Sequence, residues 1–94
     1  MNKALQRIDF AALETLCLVY RLRSFTAAAE ALNIKQSSVS YTVERLRRSF
    51  SDPLFVRQGN QISPTDRCIE LVETAERILA DIERTSHPIE FDPG

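Results

Sequence analysis

The sequence predicts a mainly α-helical fold in which three short helices and a two-stranded β-hairpin precede one long helix. Apolar residues recur at helical spacing in four segments, capping residues separate these segments, and a Gly-Asn turn lies between two β-prone runs. The chain has 94 residues, of which 44% are hydrophobic and 27% charged, as expected for one small globular domain.

The first two helices are expected over about 10–22 and 25–32. Asp9 and Ser24 can each cap a helix N-terminus. Asn33 tolerates the left-handed conformation that ends many helices. The second helix is rich in alanine, whose small side chain favours helix formation and allows another helix to approach closely. The first helix is amphipathic through its apolar residues Phe10, Leu13, Leu16, Cys17 and Tyr20.

A third helix is expected over about 36–49, with one apolar and one polar face. Val39, Val43 and Leu46 stand at positions i, i+4 and i+7, which places them on one side of the helix. The opposite side carries glutamine, serine, tyrosine and arginine residues. The segment 51–53, Ser-Asp-Pro, ends this helix.

A β-hairpin is expected after the third helix. The runs 54–57 and 61–63 are prone to form strands, and the Gly59-Asn60 pair between them can form a tight turn. Pro64 ends the second strand.

The fourth helix, about 66–85 with Thr65 as its cap, has the most regular apolar pattern. It is about 30 Å long, which leaves two interpretations. In the first interpretation this helix packs on its own domain, and in the second it pairs with a second copy of the chain. Its length and the width of its apolar stripe favour a homodimer. We predict that the dimer seam is the heptad series Cys68, Val72, Ala75, Leu79 and Ile82.

Charge is distributed unevenly along the chain, although the net charge is only −1. Residues 1–60 carry nine basic and five acidic side chains, whereas residues 61–94 carry three basic and eight acidic ones. The first part can therefore face phosphate groups, and the second part is suited to water or a partner protein.

The order of elements is that of a winged helix-turn-helix, in which the third helix enters the major groove of double-stranded DNA. Glutamine can bond adenine through two hydrogen bonds, and serine can donate or accept at any base or phosphate. The hairpin then lies as a wing against the flanking backbone or the minor groove. Each candidate residue is also compatible with an ordinary solvated surface. The predicted DNA-binding residues are Thr26, Lys35, Gln36, Ser37, Ser38, Ser40, Tyr41, Arg45, Arg57, Gln58 and Asn60.

Over about residues 9–85 the sequence resembles the LysR-type transcriptional regulators. The resemblance rests on the motifs SFTAAAEAL at 24–32, QSSVS at 36–40, PLFVR at 53–57 and PT at 64–65, with Leu46-Arg47 and the Ala75, Arg77-Ile78-Leu79 series. It implies base contacts by Gln36, Ser37, Ser40 and Tyr41, and a wing phosphate contact by Arg57.

Several positions differ from the usual pattern of that family. Lys35 stands where serine is usual, Ser37 where proline is usual, and Tyr41 where arginine is frequent. Arg67-Cys68 replaces an Ala-Gly pair at the start of the long helix. These differences leave the predicted fold intact and bear on the DNA sequence recognised and on the dimer seam.

The resemblance implies a homodimeric or tetrameric regulator with a larger C-terminal effector-binding domain. We therefore divide the chain into a DNA-binding domain at 1–64, a linker and dimerisation helix at 65–86, and a hinge at 87–94 toward an effector domain absent from these residues. No cofactor is expected in this chain. A small-molecule effector is expected to bind the missing C-terminal domain.

Two other function classes fit the sequence less well. A protein-interaction module could use the acidic last helix, but the basic excess of residues 1–60 argues against it. An enzyme is excluded by the lack of a catalytic constellation: His87 is the only histidine, and neither Cys17 nor Cys68 has a neighbouring base. The cysteine spacing indicates neither a disulfide nor a metal site. No signal peptide or membrane span is expected, so the predicted location is the cytoplasm, at the nucleoid.

Overall fold

The computed structural model describes residues 8–86, and within them the predicted fold class is confirmed. Four helices and one antiparallel hairpin follow one another in the predicted order. The predicted hinge at 87–94 lies outside the described residues. The elements are α1 (Phe10–Leu22), α2 (Phe25–Leu32), α3 (Gln36–Phe50), β1 (Phe55–Gln58), β2 (Gln61–Pro64) and α4 (Asp66–Ser86).

The capping residues read from the sequence set the helix boundaries. The Asp9 carboxylate accepts a hydrogen bond from the backbone N–H of Ala12 at 2.8 Å, and the Ser24 hydroxyl accepts one from the N–H of Ala27 at 3.0 Å. Asn33 ends α2 in the left-handed conformation, with φ 56°. These bonds satisfy backbone groups that a helix end leaves without partners.

The hydrophobic core lies where α1, α2 and α3 meet beneath α4. Ala28 and Ala29 of α2 are buried, and their small side chains allow the close approach of α3 that a helix-turn-helix needs. The wing, defined as residues 55–64, joins this core through Phe55, which is buried, and Ile62, which is half-buried. The side chains with 0–1% exposure are Ala12, Leu16, Val19, Ala28, Val39, Val43, Leu46, Leu54, Cys68, Val72 and Ala75.

The first half of α4 packs against α1 of the same chain, which corrects the predicted dimer seam. Cys68, Val72 and Ala75 are at most 1% exposed, so they have no surface left to bury against a second copy. The prediction that these three residues form the seam is wrong, because heptad spacing does not reveal which helix covers the stripe. Leu79 is half-buried and Ile82 is 42% exposed, so these two predicted seam residues retain surface for a partner.

The wing is a two-stranded ribbon with a tight turn. Arg57 pairs with Ile62, and Gln58 pairs with Gln61, immediately before and after the turn. Gly59 has φ 62°, a backbone conformation in which a Cβ atom is unfavourable. Among residues 8–86, no helix combines the length and apolar character required to cross a bilayer.

Candidate nucleic-acid interface

The N-terminal part of α3 presents a polar face that the rest of the described chain leaves uncovered. One side of α3 is buried through Val39, Val43 and Leu46. Lys35 precedes the helix and makes no side-chain cap, so the first backbone N–H groups of α3 are left without that partner. The exposed predicted DNA-binding residues on this part of the helix are Gln36, Ser37, Ser38, Ser40 and Tyr41.

Five of the predicted residues come together in one groove between α2, α3 and the wing. Its volume is about 570 Å³. The polar groove, as we call it, is lined from the helix-turn-helix by Thr26, Gln36 and Ser40 and from the wing by Arg57 and Asn60. Residues far apart in the sequence thus form one continuous surface, open on its outer side to solvent.

Arginines give the polar groove a positively charged lining. Arg23, Arg47 and Arg57 all line it. The Arg23 guanidinium donates to the Tyr20 carbonyl oxygen at 2.7 Å and lies 4.8 Å from the centre of the Tyr20 ring. The Arg47 Nε donates to the Pro53 carbonyl oxygen at 2.7 Å. These contacts hold two of the three guanidinium groups in place, as a phosphate-binding group requires. The Glu44 carboxylate lies 3.4 Å from the Arg47 guanidinium and offsets part of its charge.

Sequence reasoning did not assign Arg23 and Arg47 to the interface. Arg23 ends α1 in the left-handed conformation, with φ 53°, and this turns the chain toward α2. Arg47 lies near the end of α3, where an arginine is usually solvated. The basic excess of residues 1–60 pointed to such residues without saying where each charge lies, and Arg47 also belongs to the motifs that carry the family resemblance.

A hydrogen bond joins the two helices of the helix-turn-helix inside the polar groove. The Thr26 hydroxyl donates to Oε1 of the Gln36 side chain at 3.1 Å. Thr26 is the second residue of α2 and Gln36 is the first residue of α3. A residue of the neighbouring helix therefore holds the Gln36 carboxamide in place. This carboxamide is the group best suited to read a base.

Tyr41 and Arg45 form a second cluster, one turn further along α3. The Arg45 guanidinium lies 5.7 Å from the centre of the Tyr41 ring, and Tyr41 is 64% exposed. In the same cluster the Glu44 Oε1 atom lies 3.7 Å from the Arg48 Nε atom, and this ion pair reduces the positive charge of the cluster. This cluster lies outside the lining of the polar groove, so it is a second surface on the same helix.

The remaining predicted residues are exposed but lie outside the lining of the polar groove. Lys35, Ser37 and Ser38 surround the N-terminus of α3, and Gln58 ends β1 beside the turn. All four are exposed, and each could contact a molecule larger than the groove itself.

The two cysteines are core residues and give the described chain no reactive thiol. Burial raises the pKa of Cys68 to about 12 and also raises the pKa of Cys17, so both thiols stay protonated near neutral pH. The part of the chain that the structure describes contains no group of three or more histidine, cysteine or acidic side chains arranged to hold a metal ion.

Residues 10–68 match the model of the bacterial regulatory helix-turn-helix proteins of the lysR family. The chain belongs to this family. The match covers α1 through the start of α4, and therefore includes the whole polar groove. The sequence-based recognition is confirmed. The chain corresponds to the helix-turn-helix DNA-binding domain of a LysR-type regulator, and the family consists of transcriptional regulators rather than enzymes.

Among curated relatives, this LysR-family chain is 38% identical over 81 residues to the HTH-type transcriptional regulator YbdO of Escherichia coli K12. The aligned region covers 86% of this chain and 27% of YbdO. The chain spans about a quarter of the length of the curated relatives it matches.

Solved structures share the fold of this LysR-family chain. The probable transcriptional regulator PA0477 of Pseudomonas aeruginosa superposes with a TM-score of 0.78 and 34% identity, over 87% of this chain and 28% of that one. The DNA-binding domain of BenM, in complex with catB site 1 DNA, gives a TM-score of 0.78 at 22% identity. The BenM superposition covers 83% of this chain and 88% of the BenM chain, and at this identity it shows only that the two share a fold.

Proposed function

We propose that this chain binds double-stranded DNA sequence-specifically, with α3 in the major groove and the wing on the flanking backbone or minor groove. The observation that carries the proposal is the polar groove. It joins the exposed start of α3 to the wing and is lined by three arginines. A major groove about 12 Å wide admits one α-helix, and phosphates run along both of its edges.

Within this proposal the residues divide into two roles. Arg57, with Arg23 and Arg47, contacts phosphates and gives affinity that does not depend on sequence. Gln36 and Ser40, at the exposed start of α3, reach base edges and give the preference for one sequence. The BenM domain, which shares this fold, is solved in complex with DNA, and this supports DNA binding as the function we propose.

We further propose that the chain pairs with a second copy through the second half of α4. A groove of about 600 Å³ lies between α1 and α4. Phe10, Leu79 and Ile82 line it, and Phe10 and Ile82 are 51% and 42% exposed. Leu79 and Ile82 belong to the predicted heptad seam, and Phe10 takes the place of its three buried members. Such a dimer places two copies of α3 on successive turns of DNA, about 34 Å apart, at an imperfect palindrome.

For the whole regulator, we propose a small-molecule effector that binds a C-terminal domain, and assembly into dimers or tetramers. The chain spans only about a quarter of the length of its relatives, so we propose effector binding for the part of such a regulator that these residues do not span, whereas the proposed dimer uses the second half of α4. The proposed location is the cytoplasm, at the nucleoid, where promoter DNA is found.

The roles of Arg57 and Gln36 are tested with two variants and a selected duplex. A tight-binding sequence is first selected from a random pool, and affinities are then measured for this duplex and a scrambled one. We expect Arg57→Ala to weaken binding to both duplexes alike and to reduce the salt slope by about 1. We expect Gln36→Ala to remove preference at one base pair, worth about 1–3 kcal/mol.

Arg84→Ala is the matched control, because Arg84 is an exposed cation on α4 outside the polar groove. Its affinity for both duplexes should equal that of the unchanged chain. A loss equal to that of Arg57→Ala would show that only total charge matters. If Arg57→Ala and Gln36→Ala both lowered affinity uniformly, the division into phosphate and base contacts would be wrong.

A further inference from the structure

Thr26 and Gln36 lie on consecutive helices, ten residues apart, yet their side chains meet in the polar groove. The Thr26 Oγ1 atom donates to Gln36 Oε1 at 3.1 Å, and both residues are exposed. Because the contact is exposed, water competes for it, and it contributes little to the stability of the fold. The most direct consequence of the bond is the placement of the Gln36 carboxamide.

We propose that Thr26 is a specificity-determining residue that acts through Gln36, by holding the carboxamide in the orientation that reads a base. This inference rests on the proposed DNA-binding function and deepens it. Gln36 is the reading residue, and Thr26 is a positioning residue that need not touch the base itself.

The hydrogen-bonding capacity of the two side chains fits this role. A carboxamide oxygen has two lone pairs, of which the Thr26 hydroxyl occupies one. One lone pair of Oε1 and both N–H groups of Nε2 are then left for a base edge. This set matches adenine in the major groove, where Oε1 accepts from N6–H and Nε2 donates to N7. Adenine is therefore the base that we assign to Gln36.

Orientation matters because a free glutamine has many conformers. Three side-chain torsions must be fixed before both polar atoms can face one base, and fixing them costs conformational entropy. Threonine branches at Cβ and has few χ1 rotamers within a helix, so its hydroxyl is a stable anchor. Holding the carboxamide before binding lowers the entropy lost on binding, as in other preorganised recognition sites.

The competing interpretation is that the exposed Thr26 hydroxyl contacts a phosphate directly. The two roles differ in what they change. A phosphate contact strengthens binding to every sequence and acts independently of Gln36. A positioning role affects preference at the single base pair that Gln36 reads, and it disappears when the glutamine is absent. A double-mutant cycle separates the two roles.

The test uses the full chain with Thr26→Val, Thr26→Ser, Gln36→Ala and the Thr26→Val/Gln36→Ala pair. Valine keeps the branched shape of threonine and removes the hydroxyl, whereas serine keeps the hydroxyl. Each variant is titrated with the selected duplex, with duplexes changed at the base pair that Gln36 reads, and with a scrambled duplex. Thermal unfolding of each variant verifies that the fold is unchanged.

We expect Thr26→Val to lower discrimination at that base pair about threefold to tenfold, as expected for one lost hydrogen bond. Affinity for the scrambled duplex and its salt dependence should not change. Thr26→Ser should retain most of the discrimination. In the Gln36→Ala background, Thr26→Val should have no further effect on preference.

The inference is overturned in favour of a direct phosphate contact if Thr26→Val weakens binding to every duplex equally. It is also overturned if Thr26→Val causes an equal loss of affinity with and without Gln36. Unchanged preference in Thr26→Val or in Gln36→Ala overturns it as well. In each of these cases the unchanged chain still prefers the selected duplex, so the proposed function stands. An unchanged chain without any sequence preference overturns the proposed function and this inference together.

Discussion

The Asp52 carboxylate accepts a hydrogen bond from the Thr65 hydroxyl at 2.7 Å, which ties the end of α3 to the start of α4. The same carboxylate oxygen accepts from the Leu54 backbone N–H at 2.7 Å. The Thr65 hydroxyl in turn accepts from the Cys68 N–H at 3.1 Å, which caps α4. The wing begins and ends between these two residues, so one carboxylate fixes how the wing is attached to α3 and α4.

The hydrogen bonds to Asp52 predict that its contribution to stability depends on pH. The Thr65 hydroxyl and then the Leu54 N–H lower the pKa of Asp52 below its ordinary value of 3.8. A carboxylate with a lowered pKa in the folded state stabilises the fold fully above its unfolded pKa. This stabilisation is lost as the pH falls through the folded pKa.

We therefore expect Asp52→Asn to lower the melting temperature near neutral pH, and the difference from the unchanged chain to shrink as the pH falls below about 4. Circular dichroism melts over a pH series measure this difference. Glu70→Gln, which changes an exposed carboxylate on α4, is the control. A melting-temperature difference for Asp52→Asn that stays constant with pH would contradict the assignment.

The burial of Leu16 in the hydrophobic core predicts that truncation of its side chain strongly lowers the stability of the fold. Leu16 is fully buried, so Leu16→Ala should lower the free energy of unfolding by about 2–5 kcal/mol through lost burial and a cavity. Leu22, on the same helix, is 44% exposed, and Leu22→Ala should change that free energy by less than about 0.5 kcal/mol. Urea denaturation measures both. Equal effects of the two truncations would show that the assigned core is wrong.

The corrected dimer surface predicts that one substitution separates the two copies without unfolding them. Ile82 is exposed on the second half of α4, so Ile82→Glu should weaken the dimer while helicity is maintained. Sedimentation over a range of chain concentrations measures the change, with Glu70→Ala as an exposed control on the same helix. An Ile82→Glu chain with the mass and dissociation behaviour of the unchanged one would exclude this surface.

The sequence predicted local structure well because the residues that determine it are local. Asp9, Ser24 and Asn33 mark helix ends through bonds or conformations that involve only nearby backbone, and the structure confirms each of them. The face of α3 opposite Val39 and Val43 was also predictable, since helical periodicity alone places it.

What could not be predicted depends on contacts between distant parts of the chain. The stripe on α4 has heptad spacing whether its own domain or a second copy covers it, so the burial of Cys68 and Val72 needed the structure. Arg23 joins the polar groove because the left-handed end of α1 places it there. Leu54 is a buried residue with φ 64°, a conformation that its sequence context does not indicate.

The salt dependence of DNA binding tests the central claim most directly. Equilibrium titrations of the selected and scrambled duplexes are repeated over a series of salt concentrations. If Arg23, Arg47 and Arg57 each neutralise one phosphate, the logarithm of the association constant should fall linearly with the logarithm of salt concentration. The expected slope is about −3 per chain, and the selected duplex should bind more tightly throughout. A slope near zero, or equal affinities for the two duplexes, would contradict the account.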